Sequence, residues 1–172
     1  QDTAVFGTVL TSGNTVTISV AYNLGTIDMS ARTSNTMTLA TGTTAPAIYG
    51  NWINGTGTTL TGAGSLYFSG RVSQAITSAG VTFTQAIQLQ SPSGTLQLQD
   101  ALTTSRGAPG AFTLTNGTLD LNGKTLTLSA SATATFLIAV GTKNITFNGG
   151  TIVITTSSTT AFNNAVPTGF TT

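Results

Sequence analysis

The stretch TLTNGTLDLNGKTLTLS, residues 113–129, alternates apolar and polar side chains, breaks at Asn-Gly, and resumes twice. A period of two sends successive side chains to opposite faces of a strand, so a chain built from such pieces must cover one face of each. The same signature covers residues 15–20, 26–29, 36–39, 47–53, 65–68, 81–89, 95–98, 136–140, 145–147 and 151–154. Gly, Asn, Ser and Pro punctuate the runs, and most are short. Helical periodicity is nearly absent. Its best candidate, residues 129–140, carries four Ala, but Thr, Ser and β-branched residues interrupt it and its second half reads as strand.

One pattern recurs: Gly, then Ser or Thr, then apolar-x-apolar. It opens at Gly25, Gly64, Gly94, Gly117 and Gly150, with spacings of 39, 30, 23 and 33 residues. A regular solenoid would hold the spacing constant, so the pattern predicts an irregular parallel β-helix with rungs of unequal loop length. Each rung has an apolar face that it cannot bury alone, and stacking buries it. Outward Thr then forms rows that suit a β surface without adding charge. The alternative is a β-sandwich whose hairpins share Asn-Gly and Gly-Thr turns. In residues 113–129, alternation puts Leu114, Leu119, Leu121, Leu126 and Leu128 inside, with Thr113, Thr118, Asp120, Thr125 and Thr127 outside.

Three regions are expected: an N-terminal β region over 1–56 suited to attachment, a repeat region over 57–156, and a polar tail over 157–172 acting as cap or inter-subunit segment. Pro46, Pro92, Pro109 and Pro167 mark loops, and residues 103–112, TTSRGAPGAF, read as a loop protruding between rungs. The chain starts at Gln1 and shows no signal peptide, so it is expected to be processed or part of a longer protein.

Charge is scarce: five Lys or Arg and four Asp give a net charge of +1. That is too little for the basic stripe nucleic acid requires, or for a polybasic membrane anchor. No apolar run approaches the roughly 20 residues of a membrane helix. With no Cys and no His, a zinc site of those ligands, a Cys nucleophile and a Ser-His-Asp triad are all excluded. Calcium would need clustered carboxylates, and no Asp-x-Asp ladder exists. No cofactor is expected. Sequons at Asn54, Asn116 and Asn144 arise readily by chance in a chain so rich in Asn and Thr.

A glycan hydrolase needs two carboxyl groups across one bond. Asp28 and Asp120 alternate outward but sit several repeats apart. Asp100 reads as a turn cap, and Asp2 lies at the terminus. Arg32, Arg71 and Arg106 read as solubilising residues, or as contacts to carboxylates of a glycan or partner. Tyr49 and Trp52 are the candidate ligand or interface residues, as a stacking platform for a sugar ring, with core or interface favoured for Trp52. Rows of outward Thr also suit ice, but that needs a flat regular array, and the unequal glycine spacing argues against one.

The segments LTNGTLDLNGKTLTLS, NITFNGGTIVITTSSTTAFNNAVPTGFTT and SGRVSQAITSAGVTFTQAIQLQSPSGTLQLQDALT resemble repeat modules of large bacteriophage structural proteins and bacterial surface proteins, over about residues 57–172. The resemblance implies a β-helical module in a virion appendage, capsid decoration or tail protein.

The chain is therefore expected to be a non-enzymatic structural or assembly protein of a virion or of the extracellular surface. The alternative is a carbohydrate- or receptor-binding adhesion module. Its expected partners are copies of itself or other structural subunits, with a surface glycan as the alternative, no nucleic acid and no membrane insertion. Val5, Phe6, Val9 and Leu10 at one end, and Phe162, Val166 and Phe170 at the other, are apolar residues in polar segments. They are the expected assembly contacts.

Overall fold

The structure, a computed structural model, describes residues 2–9, 11–106, 110–129, 136–155 and 160–164. The chain winds around three faces in repeated order. The first coil is β1 (Thr3–Val5), β2 (Asn14–Thr17) and β3 (Asn23–Leu24). The second is β4 (Thr26–Asp28), β5 (Met37–Ala40) and β6 (Ala47–Ile48). The third is β7 (Trp52–Ile53), β8 (Thr58–Thr61) and β9 (Ser65–Phe68). The fourth takes β10 (Gln74–Thr77), a single bridge from Phe83 to Thr104, and the start of β11 (Ala86–Leu98). The fifth takes the end of β11, β12 (Leu102–Thr104) and the start of β13 (Phe112–Asp120). The sixth takes the end of β13, β14 (Thr125–Leu128) and β15 (Phe136–Ile138). The last is β16 (Lys143–Thr146), β17 (Thr151–Ile154) and β18 (Phe162–Asn164).

Every strand pair among the described residues is parallel, as in the β-helix and unlike the hairpins of a sandwich. The first and third faces merge into one 12-stranded sheet because β11 and β13 pass through the corner between them unbroken. Pro92, which marked a loop, is therefore inside β11. It is exposed at the register shift between Gln90 and Thr95, where the ladder does not need its missing N–H. The second face holds two three-stranded sheets, β2-β5-β8 and β12-β14-β17.

The coil length is more even than the glycine spacing suggests. First-face partners lie 23 residues apart at Thr3–Thr26, 25 at Ile27–Trp52, 24 at Trp52–Ile76, 22 at Gln74–Leu96, 23 at Thr95–Thr118 and 26 at Thr118–Asn144. The Gly-Ser/Thr motif misleads because it marks any corner that feeds a strand. From Gly25, Gly94 and Gly117 it enters the first face, from Gly64 the third, and from Gly150 the second. Pairing also runs without a break across residues 56–57, and β18 falls within 157–172.

Inward residues of all three faces meet in one core. Ile27, Trp52, Ile76 and Leu98 come from the first, Met37, Leu39, Leu60 and Phe83 from the second, and Phe68, Ile87 and Leu89 from the third. Leu114, Leu119, Leu121, Leu126 and Leu128 are buried as alternation requires. Thr113 departs from expectation: it is only 8% exposed, flanked on the adjoining coils by the larger Gln88 and Leu137. On the third face Phe112, Phe136 and Phe162 stack at 5.6 and 5.7 Å with planes within 5° of parallel.

The corner between the third and first faces demands glycine. Gly117 has φ +96°, and a Cβ there would lie 2.5 Å from the Ser91 carbonyl oxygen of the preceding coil. Gly117→Ala should destabilise the fold by about 2 kcal/mol or more. Gly7→Ala, which meets nothing within 4 Å, should be neutral or stabilising by up to ~1 kcal/mol. Urea unfolding of the two variants checks the contrast.

Candidate functional site

The aspartates are structural. Asp100 accepts from the backbone N–H of Ser78 at 2.8 Å and of Ala79 at 2.7 Å, capping the turn of the coil before it. Ala79 needs that support, since its φ is +52°, a conformation costly for a residue with a Cβ. Asp120 accepts from the Gln97 and Asn148 side chains and from the Asn122 N–H. Asp28 accepts from the Ser30 N–H within its own turn. Asp28 and Asp120 share the first face but are four coils apart, about 19 Å at the strand spacing of 4.7–4.9 Å. That is beyond the reach of a hydrolytic carboxylate pair, at most about 9.5 Å. Among the described residues no three potential metal ligands gather.

Trp52 is not a platform for a ligand or partner. Its indole is fully buried in register with Ile27 and Ile76, tilts against Phe83 at 5.9 Å, and donates its N–H to Asn54 Oδ1 at 2.9 Å. Alternation in β7 turns Trp52 inward. Tyr49 immediately precedes the corner glycine Gly50, at the outward side of the third face, and Trp52 lies two residues beyond that glycine and points inward from the first, so the two rings cannot share a surface. Tyr49 is half-buried and lines an open groove of about 460 Å³ at the N-terminal end, with Asp2, Thr3, Ala4, Asn23 and Leu24. The groove exists because β3 pairs only with β6, leaving its other edge uncovered among the described residues.

Arg32 does not solubilise. It is fully buried, and its Nη1 donates to the Gly7 carbonyl at 3.1 Å, tying the first coil to the second. Arg71 is exposed and Arg106 half-buried beside β12. Of the expected assembly residues, Val5 is 66%, Val9 96% and Phe162 54% exposed, while Phe6 packs partly on the core. Leu10, Val166 and Phe170 lie outside the described residues.

Sequence reasoning foresaw outward rows of Thr but did not place them; the structure gathers two of them on the second face. Thr15, Thr38 and Thr59 stand in register on β2, β5 and β8. Thr103 and Thr127 do so on β12 and β14, with Val153 next on β17. Thr82, beside the Phe83–Thr104 bridge, extends the second set toward the first. A second row, two residues on, runs Thr17, Ala40, Thr61 and then Thr84, Ser105, Ser129 and Thr155. Neither row contains a charged or aromatic residue. The hydroxyls of Thr84, Ser105, Ser129 and Thr155 donate to carbonyls of the preceding coil. Those of Thr15, Thr38, Thr59, Thr82, Thr103 and Thr127 make no bond to protein among the described residues, and all six side chains are exposed or half-buried. A seam crosses the face between β8 and residues 80–84, where Thr84 Oγ1 and Gln85 Nε2 reach the carbonyls of Leu60 and Thr61 in place of a backbone ladder. The signal was present as Thr-x-Thr or Thr-x-Ser/Ala about once per coil. Only the pairing reveals that these pieces fall on one face; the first face also carries outward Thr, among them Thr77, Thr95 and Thr118, but interspersed with Asp28, Gln97, Asp120 and Asn144.

No family model, curated protein or solved structure matches the chain.

Asp100→Ala should cost about 1.5–3 kcal/mol, the range for hydrogen bonds to a charged group. Asp28→Ala, which loses one local turn bond, should cost less. Chemical denaturation of the two variants checks the order.

Proposed function

We propose that the chain is a non-enzymatic adhesion module: a rigid β-solenoid that docks its second face on an extended surface. The observation that carries this is the uncharged second face. Two registered rows made mostly of Thr occupy it, one with hydroxyls free of protein partners among the described residues, while the first face mixes its outward Thr77, Thr95 and Thr118 with Asp28, Gln97 and Asp120. A ligand bound through such a face must itself repeat, because each threonine offers only a weak contact and the sum over many makes attachment durable.

The chain has no cysteine, so Thr103→Cys provides a single thiol in the middle of the row. Attaching a polyethylene glycol chain there should abolish retention on the insoluble surface the protein binds, tested over ice, crystalline cellulose and chitin. The same label at Gln88→Cys on the third face should leave retention intact. Equal loss from both labels would refute the docking face.

A second reading, a structural subunit of a virion appendage or decoration or of an extracellular surface structure, is favoured by the ends. Phe162 closes the phenylalanine stack yet is 54% exposed, and Val5 on β1 is 66% exposed. Both mark coil ends where a further subunit would add to the ladder, and the resemblance to virion and surface modules points the same way. Sedimentation of the full chain at increasing concentration should then show association, and Phe162→Asp should suppress it without lowering the melting temperature of the core.

A further inference from the structure

We infer that the extended surface taken by the second face is ice. This assignment rests on that face being the docking surface and adds the identity of what it docks on. The chemistry of the two threonine rows removes the other extended partners one by one. Polyanions need Lys or Arg, and neither row has one. Sugar surfaces are held by aromatic platforms, and the rows have none. Protein interfaces centre on aromatic, Met or Arg anchors, also absent from both rows. What remains is a lattice of methyl and hydroxyl groups.

Within a row, the strand spacing sets a repeat of about 4.7–4.9 Å, and the two rows stand about 6.6 Å apart along the strands. Both are of the same order as the oxygen–oxygen repeats on the faces of an ice crystal. Register is kept within each three-stranded sheet, because among the described residues the ladder shifts lie between β11 and β13 at another corner. Stacking on all three faces also restrains the twist that an isolated sheet would accumulate.

Each hydroxyl of the first row, Thr15 to Thr127, has one donor and two acceptor positions, and the protein claims none of them among the described residues. They are therefore available to hold waters in fixed places, while the neighbouring methyls exclude water that does not fit. A charged group would instead keep its own tight hydration shell, and neither row holds one, Arg106 next to Ser105 being half-buried beside β12. The even coil length answers the objection from unequal glycine spacing within each three-stranded sheet, and the seam between β8 and residues 80–84 divides the face into two such arrays.

The test grows ice slowly from a dilute solution of the full chain and measures the fraction of protein taken into the crystal, together with crystal shape and the gap between melting and freezing points. The unmodified chain should enter the ice, facet it and open such a gap. Thr59→Lys with Thr103→Lys should stay in the liquid and lose the gap, while Thr77→Lys with Gln88→Lys, the same added charge on the other two faces, should behave as the unmodified chain. Circular dichroism establishes that each variant is folded. Should the lysine pair unfold the protein, Thr59→Ser with Thr103→Ser keeps the hydroxyls, removes the methyls and should still weaken uptake. Exclusion of the unmodified chain from ice overturns the inference. If crystalline cellulose or chitin then retains the chain in a manner the Thr59→Lys/Thr103→Lys pair abolishes, the docking face stands and ice is the wrong surface. If nothing retains it, both fall. Equal loss from the two lysine pairs also overturns the inference.

Discussion

Each coil of this protein has an apolar interior too thin to close on itself and two edges of backbone donors and acceptors. Only another coil can satisfy both. Parallel pairing between coils is therefore the constraint from which the other features follow. It fixes the position of every side chain relative to the one a coil above, so like residues fall into columns: Ile27, Trp52 and Ile76 inside, Thr15, Thr38 and Thr59 outside. It also explains the polar network. Asp100, Asn122 and Asn148 each bond to the neighbouring coil at a corner, where the chain turns and the ladder lapses. Their chemistry is spent on turning the chain.

The same constraint governs where activity can lie. In a solenoid the inside is filled and the corners are committed, so a site is left either on an outward face or at an end. The ends offer Tyr49 with its groove, and Val5 and Phe162. The faces differ sharply. First-face and third-face side chains bond to one another, as Gln97 does to Asp120 and Gln90 to Gln88. On the second face the hydroxyls of Thr15, Thr38, Thr59, Thr82, Thr103 and Thr127 bond to nothing in the protein among the described residues, and no charged side chain stands in either row.

Buried polar groups mark where the coil is irregular. Gln74 stands in the inward column between Gly50 and Leu96, and its amide bonds to the carbonyls of Ile48 and Gly50 and to the N–H of Gly70. Asn54 takes the Trp52 N–H and donates to the Ser78 carbonyl. Both lie in the third and fourth coils, near the seam that divides the second face. There the core must accommodate Trp52 and Phe83, the widest pair in contact, and side-chain bonds replace part of the backbone ladder.

The sequence by itself determined an all-β fold of short alternating strands and favoured the parallel β-helix, while the β-sandwich that would bury the same alternation was ruled out only by the parallel pairing of the structure. It determined the inward leucines of residues 113–129, the turn-capping role of Asp100, and the exclusion of His- and Cys-based chemistry. It did not determine the coil length. The Gly-Ser/Thr motif is a local signal of a corner, equally valid at each of three corners, and Gly64, Gly94 and Gly150 belong to different ones. Nor did it place Trp52 and Arg32, whose burial depends on what lies one coil above and below. The threonine face was beyond it for the same reason: the rows are formed by residues 20 or more positions apart, and only the register of the parallel ladder brings them into line.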